Sequence, residues 1–203
     1  MTEKLRLDVA LTEKGFAESR EKAKALIMSG IVYVNNQKSD KAGNTVKEDD
    51  IIEVRGETLK YVSRGGLKLE KALAVFNIDV NGLTALDIGA STGGFTDCLL
   101  KRGARLVVAV DSGIGQLHES LRRDRRVVTV EHFNARELSP EVTEGVCDIA
   151  VMDVSFISQT LIIPAAKNVL CDGGLYVSLI KPQFECGKQG LGKGGIVKSK
   201  KIM

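Results

Sequence analysis

The feature that most constrains this sequence is a glycine-rich stretch from Leu86 to Asp97, which reads LDIGASTGGFTD. A short apolar segment, 84–88, precedes the glycines, and the segment 95–101 has the character of a helix, so the pattern predicts a strand, a tight turn and a helix. Glycine tolerates positive φ and lets a ligand approach the backbone N–H groups closely. The stretch therefore predicts a ligand-binding turn between a strand and a helix.

An acidic residue follows this turn at the distance that a nucleotide-type ligand requires. Asp111 closes the next predicted strand, 105–110, where a carboxylate can accept both hydroxyl hydrogens of a ribose. Ser91 replaces the second glycine of a dinucleotide fingerprint, which weighs against NAD or FAD, and the nearby Asp87 favours an uncharged or cationic cofactor. We interpret the turn as a cradle for S-adenosylmethionine; the alternative is an ordinary glycine-rich turn. The predicted cofactor contacts are Asp87, Gly89, Ser91, Gly93, Gly94, Phe95, Asp111 and Asn134.

The composition restricts the class of protein further. Hydrophobic residues make up 43% and charged residues 27% of the 203 residues, as in soluble globular proteins. The sequence has no apolar run of membrane-spanning length and no signal-peptide pattern, so we expect a cytoplasmic protein that does not bind membranes. Four scattered cysteines and two histidines favour neither a disulfide framework nor a metal site. A net charge of +3 is too small to indicate nucleic acid by itself.

Residues 1–60 have the pattern of a separate small α+β domain. The pattern predicts a helix capped by Ser19 and strands at 31–34 and 50–54. The order of apolar, basic and glycine positions here resembles the alpha-L RNA-binding domain, which is named after a small-subunit ribosomal protein. That resemblance implies that a basic helix edge contacts RNA phosphates, although a solvated helix face is the alternative for any single lysine. The predicted RNA contacts are Lys4, Arg6, Arg20, Lys24 and, in the next domain, Arg64.

Residues 61–203 alternate predicted strands and helices. After a linker at 57–62, a helix is predicted to begin near Ser63 with an apolar row of Leu69, Leu73 and Phe76. The predicted strands are 84–88, 105–110, 127–130, 148–152 and 175–180. Repeated strand–helix units imply an α/β fold with a parallel, Rossmann-like sheet, which binds ligands at the carboxyl ends of its strands. The residues at those ends are Asp87, Gly89, Asp111, Asn134, Asp153 and Lys181.

Four motifs of this second domain resemble the TlyA or haemolysin A family of FtsJ-like ribose 2′-O-methyltransferases. Beside the glycine turn they are Ser63-Arg64-x-x-x-Lys68-Leu69, Met152-Asp153-Val154-Ser155-Phe156-Ile157 and Ile180-Lys181-Pro182-Gln183-Phe184-Glu185. The resemblance implies a class I methyltransferase fold, S-adenosylmethionine as methyl donor, and cytidine riboses of 16S and 23S rRNA or ribosomal subunits as partners. It also implies a Lys-Asp-Lys-Glu catalytic tetrad, whose first three positions match Lys68, Asp153 and Lys181.

These residue types suit the chemistry of methyl transfer to a ribose. The hydroxyl is a poor nucleophile near neutral pH, and a lysine beside another cation can act as its base or orient it. We assign that role to Lys181, with Lys68 as the neighbouring cation and Asp153 as the group that holds the amine. The tetrad's glutamate and the last strands of the family's sheet find no match, so we expect a truncated domain. The alternatives are an RNA-binding protein with an inactive methyltransferase half and, more distantly, a pore-forming haemolysin.

Overall fold

The chain divides into two units, Met1–Lys60 and Tyr61–Met203, each with its own hydrophobic core. The computed structural model describes residues 4–55 and 60–197. Residues 57–59, the first half of the predicted linker, therefore lie outside the described residues. None of the helices in the described part of the chain combines the length and the apolar character that a membrane span requires.

The described residues of the first unit form two helices and five short strands. The helices are α1, Leu7–Glu13, and α2, Arg20–Met28. The strands are β1, Leu5–Arg6, β2, Val32–Val34, β3, Gln37–Lys38, β4, Thr45–Val46, and β5, Ile52–Val54. β1 pairs with β4, and β2 pairs with both β3 and β5, all antiparallel. The predicted α+β architecture is confirmed.

Local sequence explains helix α2 and the hairpin that joins β2 to β3. The Ser19 hydroxyl accepts a hydrogen bond from the Lys22 N–H, as a cap should. One face of α2 is buried in the core of the unit through Ala23, Leu26 and Ile27. The hairpin turns at Asn35 and Asn36, whose φ angles are 49° and 65°. Asparagine tolerates this left-handed conformation, so the turn forms without the usual glycine.

The second unit is built around a five-stranded parallel sheet. Its strands are β6, Thr84–Ile88, β7, Leu106–Val110, β8, Val127–Val130, β9, Cys147–Met152, and β10, Leu170–Ser178, in the spatial order β10-β9-β6-β7-β8. Its helices are α3, Gly65–Val75, α4, Gly94–Lys101, α5, Glu119–Arg122, α6, Ile163–Asn168, and α7, Pro182–Glu185. Short 3-10 turns occur at Ala135–Glu137, Gln159–Leu161, Lys188–Gly190 and Lys193–Gly195. The parallel α/β sheet that the sequence predicts is confirmed.

Both faces of this sheet are covered, which explains why its central strands are mostly apolar. One core layer lies under α3 and α4, and the other lies under α6. In α3, Leu69 and Leu73 are buried as predicted, whereas the prediction for Phe76 is wrong: it is 66% exposed. Phe76 follows the last residue of the helix and is its C-cap, so its side chain leaves the apolar row.

Several strand boundaries of the second unit differ from the predicted ones: β7 begins at Leu106, β9 at Cys147 and β10 at Leu170. β10 ends at Ser178 instead of Ile180, so Lys181 lies beyond the last paired residue of the strand. Helix α5 begins only at Glu119, because His118 adopts an extended conformation and caps the helix through its ring. The early end of β10 and the late start of α5 lengthen loops at the carboxyl end of the sheet, where ligands bind in this class of fold.

Candidate active site

A cavity of about 250 Å³ lies at the carboxyl ends of β6 and β9, in the second unit. Six of the predicted site residues line it: Gly89, Ser91, Gly94, Phe95, Asp153 and Lys181. Ser63 and Ser155, to which the sequence reasoning gave no role, line it as well. The cavity therefore unites the predicted cofactor turn with two of the three predicted catalytic residues.

Three glycines shape the turn after β6 for different reasons. Gly89 has a φ of +85°, and a Cβ there would lie 3.0 Å from the Asp153 carbonyl oxygen. Gly93 is also left-handed, with a φ of +92°, but it is buried, and a side chain there would overlap Leu121. At Gly94 a side chain would overlap the Ser63 hydroxyl. Gly89 and Gly94 thus allow close approaches at the cavity wall, whereas Gly93 allows packing behind it.

Asp111 stabilises the turn through both of its carboxylate oxygens. Oδ2 accepts a hydrogen bond from the Ser91 N–H at 2.7 Å, and Oδ1 accepts one from the Gly113 N–H at 2.7 Å. The side chain remains partly exposed at the end of β7. Each carboxylate oxygen can accept a second hydrogen bond, so Asp111 can hold the turn and still receive ligand hydroxyl groups.

Asp87 lies beneath the turn and is fully buried, so it does not line the cavity as the prediction of a direct cofactor contact requires. Its Oδ2 accepts a hydrogen bond from the Thr96 hydroxyl at 2.7 Å. Its Oδ1 is buried without a hydrogen-bond partner among the described residues. Burial raises the pKa of Asp87 to about 7, despite the hydrogen bonds from Thr96, and the charges of Asp153 and Asp111 add to the increase. Through its hydrogen bond with Thr96, the Asp87 carboxyl links β6 to α4 beneath the turn.

This raised pKa predicts a pH-dependent stability for the second unit. The unfolded carboxyl titrates near pH 4, so between about pH 4 and pH 7 the folded state binds the proton more tightly. The free energy of unfolding should therefore decrease by about 2 kcal/mol between pH 5 and pH 7 because of this group. Asp87→Asn, which is neutral at every pH, should lack this contribution. Urea unfolding of both proteins across that range measures the difference, and parallel pH profiles would contradict the prediction.

The structure brings the three predicted catalytic side chains together. The Lys68 Nζ donates to Asp153 Oδ2 at 2.9 Å, and the Lys181 Nζ lies 2.5 Å from Asp153 Oδ1. The side chain of Lys181 is 19% exposed and that of Lys68 is 51% exposed, so Lys68 is the more hydrated partner. Burial alone would raise the pKa of Asp153, but the hydrogen bonds from the two lysines outweigh it and lower the pKa. Asp153 is thus an ionised bridge between two ammonium groups.

Ser155 adds a contact that the sequence reasoning missed. Its hydroxyl accepts a hydrogen bond from the Lys181 Nζ at 2.8 Å, on the wall of the cavity. The only available signal was its position two residues after Asp153, within the loop that follows β9. Lys181 is therefore held from two sides, by a carboxylate and by a hydroxyl.

Two predicted residues have other surroundings. Asn134 caps the 3-10 turn that follows it: its Oδ1 accepts from the Arg136 N–H, and its Nδ2 donates to Glu137 at 3.3 Å. Asn134 is not among the residues that line the cavity. Arg64 is exposed at the start of α3. Within residues 4–55 and 60–197, no cluster of histidine, cysteine and acidic side chains has the arrangement of a metal site.

In the first unit, two of the predicted RNA contacts surround a buried carboxylate. Asp8 is fully buried, and it accepts hydrogen bonds from Arg6 at 3.0 Å and from Arg20 at 3.0 Å. These bonds, led by the one from Arg6, hold the pKa of Asp8 well below its usual range. Lys24 lies 3.5 Å from Glu21, and Lys4 is exposed. Asp8 thus fixes two cations whose side chains remain half exposed.

Two family models match this chain. The model described as FtsJ-like methyltransferase matches residues 61–203, and the S4 domain model matches residues 5–52. The first contains the glycine turn, the cavity and all three residues of the Lys68–Asp153–Lys181 cluster. The second contains α1, α2 and Asp8.

Curated relatives match nearly the whole chain. A proposed rRNA methyltransferase of Bacillus subtilis, YqxC, is 50% identical over 99% of this chain and 72% of its own length. Hemolysin A of Brachyspira hyodysenteriae is 47% identical over 96% of this chain and 81% of its own length. The 16S/23S rRNA (cytidine-2′-O)-methyltransferase TlyA of Mycobacterium tuberculosis is 44% identical over 97% of this chain and 74% of its own length.

A solved structure supports the same relationship. A proposed hemolysin from Streptococcus thermophilus is 49% identical, with a TM-score of 0.72, and covers 100% of this chain and 74% of that one. This identity extends over both units.

Proposed function

The chain belongs to the FtsJ-like methyltransferases, in the family that contains TlyA and hemolysin A, and we propose that it is an S-adenosylmethionine-dependent rRNA 2′-O-methyltransferase. The observation that carries the proposal is the bridge of Asp153 between Lys68 and Lys181 at the rim of the glycine-turn cavity. It places a group that can act on a hydroxyl beside a turn suited to a nucleoside. The cytidine ribose as target rests on the names of the relatives.

The residues of the turn fit the proposed cofactor. The absence of a side chain at Gly89 lets the turn pack against Asp153 and Val154 of the loop after β9, and this contact shapes the cavity wall. Ser91 and Phe95 line the cavity. Asp111 is not among the lining residues, but it binds the Ser91 N–H and keeps lone pairs that ribose hydroxyls can use. Asp87 supports the turn from beneath, where its buried carboxyl accepts the hydrogen bond of the Thr96 hydroxyl. When bound, the cofactor supplies a sulfonium methyl group that is open to nucleophilic attack.

Lys181 is the residue proposed to act on the ribose 2′-hydroxyl. Asp153 and Ser155 hold its Nζ at the cavity, where the ammonium group can orient the hydroxyl through a hydrogen bond. After it has lost a proton, the resulting amine can accept the proton of the hydroxyl. Lys68 binds the other oxygen of the Asp153 carboxylate, so the negative charge of Asp153 is shared between the two lysines. Much of the acceleration comes from positioning two reactants together rather than from the base itself.

The first unit is proposed to supply the contact with rRNA. It matches the S4 domain model, and Arg6, Arg20, Lys24 and Lys4 are the cations offered to phosphates there. Since Arg6 and Arg20 are half exposed, each can bind a phosphate with the N–H groups that Asp8 leaves available. Arg64, exposed in the second unit, is proposed as a further contact.

A methyl-transfer assay tests this function. The protein is incubated with tritiated S-adenosylmethionine and ribosomal subunits from cells that lack the gene, and the product nucleosides are identified by mass spectrometry. We expect incorporation into 2′-O-methylcytidine. Incorporation into a base, or none into either subunit, would contradict the proposal.

The cofactor site itself predicts an affinity change. Asp111→Ala should weaken S-adenosylmethionine binding by about 1–3 kcal/mol, because it removes hydrogen bonds to a carboxylate and loosens the turn at Ser91. Isothermal calorimetry measures the dissociation constant, with the exposed Asp172→Asn as the matched control. An unchanged affinity in Asp111→Ala would remove this residue from the cofactor site.

A further inference from the structure

The loop that follows β9 is held by the segment that follows β10. Lys181 contacts Asp153 and Ser155 at the start of this loop. Four residues further along the second segment, Glu185 contacts its end: Oε2 accepts from the Ser158 hydroxyl at 2.6 Å, and Oε1 accepts from the Gln159 N–H at 3.1 Å. The two ends of the loop 153–159 are therefore held by the two ends of the motif Lys-Pro-Gln-Phe-Glu.

Two further contacts support the same attachment. The buried Gln159 side chain accepts a hydrogen bond from the Ser178 hydroxyl at 2.6 Å, which joins the loop to the last residue of β10. The rings of Phe156 and Phe184 lie 5.3 Å apart, although Phe156 is 92% exposed. Contacts at several points along the loop leave little freedom for Asp153 and Ser155 to move relative to Lys181.

The backbone of the loop is in a conformation that requires such support. Phe156 has a φ of 66°, in the left-handed region that a bulky side chain rarely adopts. A conformation of this kind persists where the surroundings determine it, and it occurs often at functional sites. Phe156 follows Ser155 directly, so relaxation of its backbone would move the hydroxyl that binds Lys181.

We propose that Glu185 is a positioning residue, which holds the loop 153–159 so that Asp153 and Ser155 fix the Lys181 Nζ at the cavity. This inference rests on the proposed function, and it gives a role to the last residue of the Lys-Pro-Gln-Phe-Glu motif. Glu185 receives its two hydrogen bonds from a hydroxyl and a backbone amide, both neutral. The role therefore depends on the shape and hydrogen-bonding capacity of the side chain and not on its charge.

The neutral isostere separates this role from an electrostatic one. In Glu185→Gln, the amide oxygen can accept from the Gln159 N–H while the amide nitrogen donates to the Ser158 hydroxyl oxygen. Glu185→Ala removes both contacts. We expect Glu185→Ala to lower kcat for rRNA methylation by about tenfold or more, since small misplacements of reacting groups have large effects on rate. Glu185→Gln should stay within about threefold of the unsubstituted protein.

Cofactor affinity and KM complete the kinetic test. The dissociation constant of S-adenosylmethionine and the KM for ribosomal subunits should change by less than about twofold in both variants, because Glu185 is not among the residues that line the cavity. Asp172→Asn, exposed in the same unit, serves as the control for loss of an acidic group. Equal losses in Glu185→Gln and Glu185→Ala would show that the charge is needed and overturn the proposal. Full activity in Glu185→Ala would overturn it as well.

Hydrogen exchange followed by mass spectrometry tests the attachment without turnover. Exchange at the Gln159 amide should become faster in Glu185→Ala and remain slow in Glu185→Gln; unchanged exchange in Glu185→Ala would refute the attachment. If the unsubstituted protein transfers no methyl group, the proposed function fails while the exchange experiment still decides about the loop. Should Glu185→Ala fail to fold, Ser158→Ala, which removes one of the two donors, takes its place under the same criteria.

Discussion

Lys181→Ala should abolish methyl transfer while leaving S-adenosylmethionine binding intact. The Nζ of Lys181 lies on the cavity wall between Asp153 and Ser155, and in the proposed function it acts on the ribose hydroxyl. General acid–base catalysis contributes about 10²–10⁴-fold to rate. The loss of positioning adds to this, so we expect a decrease in kcat of about 10³-fold, or about 4 kcal/mol. Single-turnover transfer of a tritiated methyl group measures it.

Matched variants separate this effect from a general loss of positive charge. Lys167→Ala removes an exposed lysine of α6 and should keep the full rate. Asp153→Asn keeps the shape of the bridge but removes the charge between the two ammonium groups, so it should lower the rate without unfolding the protein. Transfer by Lys181→Ala at more than a tenth of the normal rate would show that another group acts on the hydroxyl.

Replacing both Arg6 and Arg20 by methionine should strongly destabilise the first unit. Methionine retains the packing of the arginine stem, but the double variant leaves the fully buried Asp8 carboxylate without either of its cations. A buried charge that loses its partners costs about 3–5 kcal/mol. Each single variant should cost much less, since one guanidinium remains. Denaturant unfolding, followed by hydrogen exchange in α1 and α2, measures the loss in this unit.

Adding Asp8→Asn to the double variant distinguishes stability from RNA recognition. The triple variant no longer buries an ionised group, so we expect most of the lost stability to return. Its affinity for rRNA should stay low and its binding should depend less on salt, because two proposed phosphate contacts remain absent. A triple variant that binds rRNA normally would show that Arg6 and Arg20 serve only the fold.

The lowered pKa of Asp8 also makes the stability of the first unit depend on pH. The unfolded carboxyl titrates near pH 4, and the folded one lies well below its usual range. The ion pairs therefore contribute their full stability above about pH 4, and that contribution is lost as the pH falls through the folded pKa. Asp87 affects stability in the opposite direction: because burial raises its pKa, its contribution to the free energy of unfolding decreases as the pH rises.

Patterns along the chain were sufficient for the architecture and for the location of the site. β6 and β8 begin and end at the predicted residues, because mostly apolar runs bounded by turn residues are typical of strands. In such a sheet the carboxyl ends of neighbouring strands meet at one edge, so Asp153 and Lys181 could be expected together. Lys68, in helix α3, was grouped with them only through the family resemblance. Residue types and order alone determined this much.

Tertiary structure decided what each polar residue does. Asp87 and Asp111 both end strands, yet Asp87 is buried beneath the turn, while Asp111 remains partly exposed and caps two N–H groups. Asp8 is an ordinary acidic residue in the sequence, and only the packing of α1 against α2 places it between two arginines. Side-chain direction and burial depend on contacts between distant segments, and one residue's local sequence does not contain them. For the same reason the contacts of Glu185 with the loop 153–159 became visible only in the folded chain.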